Sequence, residues 1–351
     1  MKKPLLITID TEGDNLWARP RRITSHNAAF LPRFQSLCER YGYKPTYLVN
    51  YEMAVNASFV EFARDLLHRN TAEIGLHLHA WHSPPDHRLT SDDYACSPYL
   101  IEFPREVMAA KIRFLTDLLE ETFETDMVSH RAGRWAINSD YARELVANGY
   151  MVDCSVTPHV SWIHARGATR GGSDYRDFPA LPYFVDLDDI ERPGKSQLLE
   201  LPMSIRPRWT SLAVGTMRRI YRTRLGYHLL KPLVGLQWLR PNGDNREEMI
   251  ELAHDLWYGN TPYAQFMLHS SELMPGGSPN FPTEKSIDAL YDDLDALFDA
   301  MKDRYCGSTL KEFRANYSDV LREPSVEVRE AGFVRAYQPA AATVSPRVSS
   351  A

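Results

Sequence analysis

Short apolar runs recur along the chain. They alternate with longer stretches whose apolar positions fall every three or four residues, the respective signatures of strand and helix. Residues 5–9, 44–50, 72–80, 127–133, 151–156, 198–205 and 263–270 predict strands. Residues 28–41, 58–70, 104–123, 139–150 and 283–305 predict helices. Ser58 and Ser139 stand at N-cap positions, Pro104 opens a helix, and Gly42 and Gly149 close two others. Repeated strand–helix units imply a parallel sheet, and about seven of them imply an α/β fold in the form of a distorted (β/α) barrel. No internal sequence repeat accompanies the units. Residues 1–337 read as one domain, and the small, polar, Pro-containing tail 338–351 as a disordered segment.

Residues 206–246 break the pattern. Arg206, Arg208, Arg218, Arg219, Arg222, Arg224, Lys231, Arg240 and Arg246 meet a single acid there, Asp244. Tyr221, Tyr227, Leu229, Leu230 and Trp238 are interleaved with them. This reads as a basic helical insertion on the barrel. One reading gives it a solvated cationic face and an apolar side packed on the barrel. The other gives it a peripheral contact with anionic lipid headgroups.

Composition narrows the classes. The chain has 351 residues, 44% of them hydrophobic and 25% charged, as in an ordinary globular protein. A net charge of −6 argues against general nucleic-acid binding. The apolar runs fall far short of the ~20 residues that a helical membrane span needs. The N-terminal Lys2-Lys3 and its apolar run stop at Asp10 with no small-residue cleavage site, so residues 5–9 are read as a first strand and the protein is expected in the cytoplasm. Cys38, Cys96, Cys154 and Cys306 are widely spaced and read as reduced thiols.

Candidate chemistry collects at the strand ends. Asp10, Glu12 and Asp14 alternate just after the first apolar run. Like charges so close repel unless a cation sits among them. The third strand ends in EIGLHLHAWH (73–82). Period-two alternation places Ile74, Leu76 and Leu78 on one face and Glu73, Gly75, His77 and His79 on the other. Two histidines at i and i+2 on one strand face can hold one metal ion, so His77 with His79 is the best pair and His79 with His82 the runner-up. Two imidazoles, a carboxylate and an open position make a catalytic metal site, with a second acid free to act as base. Arg131 in SHRAGRW could hold a carboxylate ionised, and His269 ends the strand before a Gly/Pro-rich loop. In a parallel barrel these ends open on one face. Asp10, His77, Arg131 and His269 are therefore expected to converge.

In order from about residue 4 to residue 305, these motifs resemble those of the NodB-like polysaccharide deacetylases, carbohydrate esterase family four. TIDTEG (8–13) echoes the family's T-F-D-D-G, EIGLHLHAWH its metal-binding histidine motif, and RAGRW (131–135) its arginine motif. Asp153 in GYMVDCSV stands at its fourth motif and MLH (267–269) at its last. The resemblance implies Asp10 as catalytic base, Arg131 as its partner and His269 as general acid. It implies metal binding by Glu12, His77 and His79, with Asp14 and His82 as alternates, because the second acid is not adjacent to Asp10 and the position four after His77 is Trp81. These departures resemble a divergent branch, carrying E-I-G-x-H-x-H, that is associated with bacterial surface-polysaccharide biosynthesis.

The implied function is a divalent-metal hydrolase, zinc being the first choice of metal. It would remove N-acetyl groups from a sugar of a surface polysaccharide or its precursor. Trp81, Trp135, Trp162 and Asp153 are candidates for contact with the sugar. Two alternatives stay open: an amide hydrolase acting on a small non-glycan substrate, and a catalytically idle glycan-binding protein of the same fold. The sequence does not set the oligomeric state.

Overall fold

The computed structural model describes residues 2–208 and 235–320. Within them the strand–helix alternation is realised as β1 (Lys3–Thr11), α1 (Leu31–Arg40), β2 (Pro45–Val49), α2 (Ala57–His68) and β3 (Glu73–Leu78). Next come α3 (Arg105–Phe123), β4 (Ser129–Ala132), α4 (Ser139–Ala147) and β5 (Val152–Asp153). Four short strands follow: β6 (Tyr183–Phe184), β7 (Leu199–Glu200), β8 (Ile205–Pro207) and β9 (Leu236–Trp238). The chain continues through α5 (Arg246–Tyr258), β10 (Ala264–His269), α6 (Glu284–Met301), β11 (Tyr305–Gly307) and α7 (Leu310–Val320).

The main sheet runs β10-β1-β2-β3-β4-β5-β7-β6, with β11 also paired to β1. All of its pairings are parallel except β6 with β7. It is the expected distorted barrel, with nine strands rather than about seven. Between the segment after β7 and β10 single backbone bonds replace a ladder: Leu239 N–H to Ser204 O and Met267 N–H to Leu239 O.

Alternation along β1 builds two cores. Leu5, Ile7 and Ile9 join the layer beneath the helices. Leu6 points the other way, into a smaller cluster with Leu48, Val152, Leu199, Leu201 and Tyr263. Leu310 and Phe313 of α7 close that cluster from below, each such side chain contributing about 1.5–3 kcal/mol of burial. The interior is thus partly apolar at the strand N-termini, where a buried Glu73 accepts from Thr46 and Ser129, and polar at their C-terminal ends. Register completes the arrangement: Asp10 lies beside His269, and His77 beside Arg131.

Several expectations shift in detail. Asn56 rather than Ser58 caps α2, its side chain accepting from Phe59 N–H at 2.9 Å. Asn138 rather than Ser139 caps α4 in the same way. In both cases the serine already lies inside the helix, and the asparagine before it is extended. The predicted strand 198–205 divides, because its second half turns away to form a separate antiparallel ribbon, β8 with β9. The described flanks of the basic segment are therefore strand. Their cations pair with acids elsewhere in the fold: Arg206 with Asp255, Arg208 with Glu248, Arg240 with Glu272 and Arg246 with Asp293. Arg218, Arg219, Tyr221, Arg222, Arg224, Tyr227, Leu229, Leu230 and Lys231, on which a lipid contact would rest, lie outside the described residues, as does the tail 338–351. Among the described residues no helix is long and apolar enough to cross a membrane. The four cysteines are free thiols, Cys38 and Cys154 buried.

Candidate active site

Thr8 and Asp10 share the inward face of β1, and both meet Arg131 from β4. Arg131 Nη1 donates to Asp10 Oδ1 at 2.6 Å and Nη2 to Thr8 Oγ1 at 2.8 Å, while Nε donates to Cys154 O at 3.1 Å. The guanidinium is fully buried and Asp10 is 2% exposed. Burial alone would raise the Asp10 pKa, but Arg131 and then His77 and His269 outweigh it and hold the carboxyl below its ordinary value. Arg131 thus fixes one oxygen of Asp10.

Glu12, His77 and His79 form the one group of three close metal-ligating side chains among the described residues, all buried. The Nε2 atoms of His77 and His79 are 3.2 Å apart. Glu12 Oε2 lies 3.4 Å from the first and 2.7 Å from the second. Ligands on a tetrahedral zinc ion with bonds of about 2.0–2.1 Å sit roughly 3.3 Å from one another, so this triangle is close to the size required. His77 Nδ1 is 2.9 Å from Arg131 O and donates to it, which turns Nε2 to the cluster. Burial would lower the pKa of the ring, but Asp10 and Glu12 outweigh it and raise it, so the same acids that favour a proton there would favour a metal cation in its place. Burial pushes the His79 pKa down to about 4, so that ring is neutral at physiological pH, as a ligand must be. The Glu12 carboxyl sits well below its usual range, because His269, His77 and His79 together overcome its burial. The donor set therefore fits a divalent cation.

His79 Nδ1 is buried without a hydrogen-bond partner and rests against Gly133. A Cβ on Gly133 would stand 2.6 Å from that nitrogen and 2.3 Å from Leu78 O. Gly133→Ala is expected to cost about 1–3 kcal/mol by overpacking. It should also weaken metal affinity by displacing His79, and calorimetric metal titration beside a urea melt would read both effects.

His269, at the end of β10, turns Nε2 toward the acids, 3.8 Å from Asp10 Oδ2 and 3.9 Å from Glu12 Oε1. Its Nδ1 and its backbone N–H both meet Glu272 Oε2, at 3.1 and 2.9 Å. Arg240 closes on the same pair, with Nη2 3.3 Å from Glu272 Oε1. Burial would raise the Glu272 pKa, yet Arg240 and then His269 bring it down to about 2. Because the folded value lies below the usual 4.5, the stabilisation is complete above about pH 4.5 and is lost as pH falls toward 2. Glu272→Gln should cost about 2–4 kcal/mol at neutral pH. In urea melts run from pH 7 downward, its deficit against the parent protein should shrink below pH 4.5.

The structure brings together Asp10, Glu12, His77, His79, Arg131 and His269, and sets three other candidates apart. Asp14 binds its own loop: its carboxylate accepts from Thr24 Oγ1 at 2.8 Å and from the backbone N–H groups of His26 and Asn27, both at 2.9 Å. The chain leaves β1 before residue 14, so strand alternation no longer aims that side chain at the centre. The His82 side chain stays buried with its ring centroid 5.5 Å from that of His79, but its Nδ1 turns to Glu52, 2.5 Å from Oε1, because β3 has ended before it. Asp153 is fully buried on the opposite face of the sheet from Arg131. It pairs in register with His130, whose Nδ1 lies 2.7 Å from Asp153 Oδ1. The parity that sends Arg131 inward sends His130 and Asp153 outward, so Asp153 does not meet the site.

The site opens into a cleft of about 310 Å³. Trp81, Trp135 and Trp162 line it, as the sequence led us to expect, together with Trp17 and Tyr99. Arg19, Arg134 and Arg240 add three cations to its wall. Trp17 packs edge-on against the His269 ring with centroids 4.8 Å apart, and Arg131 lies over the Trp135 ring at 4.8 Å. Glu272 was legible as the fourth residue of HSSE, a capping pattern beginning at a candidate histidine. Trp17, Tyr99 and Arg134 carry no comparable signal.

No family model matches the sequence, and no curated protein matches it. Solved structures do. A Mycobacterium smegmatis protein assigned as a polysaccharide deacetylase superposes with a TM-score of 0.51 at 14% identity, over 94% of this chain and 96% of that one. A Parabacteroides distasonis protein assigned as a glycoside hydrolase/deacetylase superposes with a TM-score of 0.55 at 11% identity, over 91% of this chain and 72% of that one. At such identities the likeness concerns the fold: this chain resembles the NodB-like polysaccharide deacetylases in its distorted barrel.

Proposed function

We propose that the protein is a metal-dependent deacetylase that hydrolyses the N-acetyl group of a sugar in a surface polysaccharide or its precursor, acting in the cytoplasm. The observation that carries this reading is the placing of one ionised carboxylate and one imidazole, 3.8 Å apart, beside a three-ligand cluster at the floor of an aromatic cleft. Binding alone needs no such acid and base.

Glu12, His77 and His79 would hold the ion, and a His₂Glu set is one that catalytic zinc takes. When bound, a divalent cation supplies Lewis acidity that lowers the pKa of water toward neutrality and polarises an acyl oxygen. Asp10 accepts the proton of the attacking water through Oδ2, the oxygen that Arg131 leaves free. Arg131 keeps Asp10 ionised and oriented. His269, steadied at Nδ1 by Glu272, presents Nε2 to the departing amine and donates the proton that completes C–N cleavage. Trp17, Trp81 and Trp162 offer faces for a sugar ring.

Acetate release from a panel of N-acetylated sugars and glycans, run beside O-acetylated sugars and small acetamides, tests the substrate class. Release from the acetamido sugars is expected. Hydrolysis confined to the small acetamides would replace the glycan with a non-glycan amide.

A further inference from the structure

Four non-glycine residues that line the cleft have left-handed backbones: Arg19 (φ 51), Ser97 (φ 50), Arg134 (φ 56) and Trp135 (φ 64). For bulky side chains this conformation is unfavourable, and such strain collects where a structure must aim particular groups. Here it aims two guanidinium groups. Arg19 Nη1 donates to Ala95 O at 2.6 Å. Arg134 donates to Ser97 O and, through Nη2, to Arg166 O at 2.9 Å, with its guanidinium stacked 4.0 Å over the Tyr99 ring. Both arginines are thus anchored by carbonyls of the same short segment, 95–97.

Neither is in an ion pair among the described residues, unlike Arg131 and Arg240 in the same site. Arg134 is half-buried; its burial and the nearby charge of Arg19 work against its cationic form, while Tyr99 and Glu102 support it. Two like charges have been placed on one wall, held by neutral acceptors, with further N–H donors on each guanidinium. That arrangement is favourable around an anion, because planar guanidinium forks match phosphate and carboxylate oxygens.

We propose that Arg19 and Arg134 form a subsite for an anionic group, a phosphate or a carboxylate, borne by the sugar that enters the cleft. The choice of a sugar rests on the deacetylase reading; the anion subsite itself does not. The subsite lies on the wall with Tyr99 and Trp135, so the charged group recognises the substrate and does not react.

Titration calorimetry with the metal-loaded protein tests this by binding rather than turnover. The probes are N-acetylglucosamine, N-acetylglucosamine 1-phosphate and a disaccharide of N-acetylglucosamine with glucuronic acid. At least one anionic probe is expected to bind tenfold or more tightly than neutral N-acetylglucosamine, and which one does so separates phosphate from carboxylate. Arg19→Gln, an exposed change, should remove a substantial part of the preference for the anionic over the neutral probe, and Arg19→Gln with Arg134→Gln nearly all of it. Arg134→Lys keeps a charge in place should Arg134→Gln fold poorly, and it is expected to retain part of the preference. Equal affinity of the parent protein for charged and neutral probes, or a preference that survives Arg19→Gln in full, overturns the subsite. Anion binding through these arginines without any acetate release would keep the subsite and remove the deacetylase reading.

Discussion

Asp10→Asn is expected to lower kcat by roughly 10²–10⁴-fold, the usual worth of a general base, while the protein still holds one equivalent of metal. Metal should stay because the ligand triangle is Glu12, His77 and His79, and Asp10 is instead engaged by Arg131. Asparagine keeps the shape and can still accept from Arg131, but the buried guanidinium loses its counter-charge, so a loss of stability should accompany the loss of kcat, read by a urea melt. A change at the partner behaves differently. Arg131→Ala would leave Asp10 buried with its principal counter-charge gone, at a cost of about 3–5 kcal/mol. Elemental analysis beside steady-state kinetics reads the distinction. Loss of metal in Asp10→Asn would exchange the roles of Asp10 and Glu12.

His77→Ala should lose stoichiometric metal and with it all measurable hydrolysis. Its ring supplies one corner of the triangle, and its Nδ1 bond to Arg131 O ties that corner to the strand that carries the partner of Asp10. His82→Ala should leave metal content unchanged, since that ring faces Glu52. If His77→Ala retains a full equivalent while His82→Ala loses it, the ligand pair is the other one that the sequence allowed.

The extent to which the site could be read from the sequence follows strand geometry. Asp10, His77, His79 and Arg131 lie on strands or at their ends, where a period of two fixes which way each side chain points, and His269 sits at the last position of its strand. Parallel order then brings the strand ends to one face. Beyond the ends, period two stops applying, and the alternates Asp14 and His82 take other partners there. Asp14 is claimed by a loop that returns at Thr24–Asn27. His82 is claimed by a residue thirty positions earlier. Asp153 is on a strand, but a motif placed it in the site where alternation, counted from Arg131 across the β4–β5 register, would have turned it outward. Arg134 and Trp135 reach the cleft through two consecutive left-handed residues, a conformation that arginine and tryptophan do not announce. The short strands β6, β9 and β11 were missed because two or three residues carry no period.

The most direct test of the central claim is acetate release during a metal titration. Protein stripped with a chelator would be given zinc in steps, with an N-acetylated sugar or glycan accepted by the parent enzyme as substrate. Activity absent from the stripped protein, rising in proportion to added metal and levelling at one equivalent, is the expected result. Acetate released at full rate by stripped protein, or activity that ignores bound zinc, would contradict a metal-dependent deacetylase built on Glu12, His77 and His79.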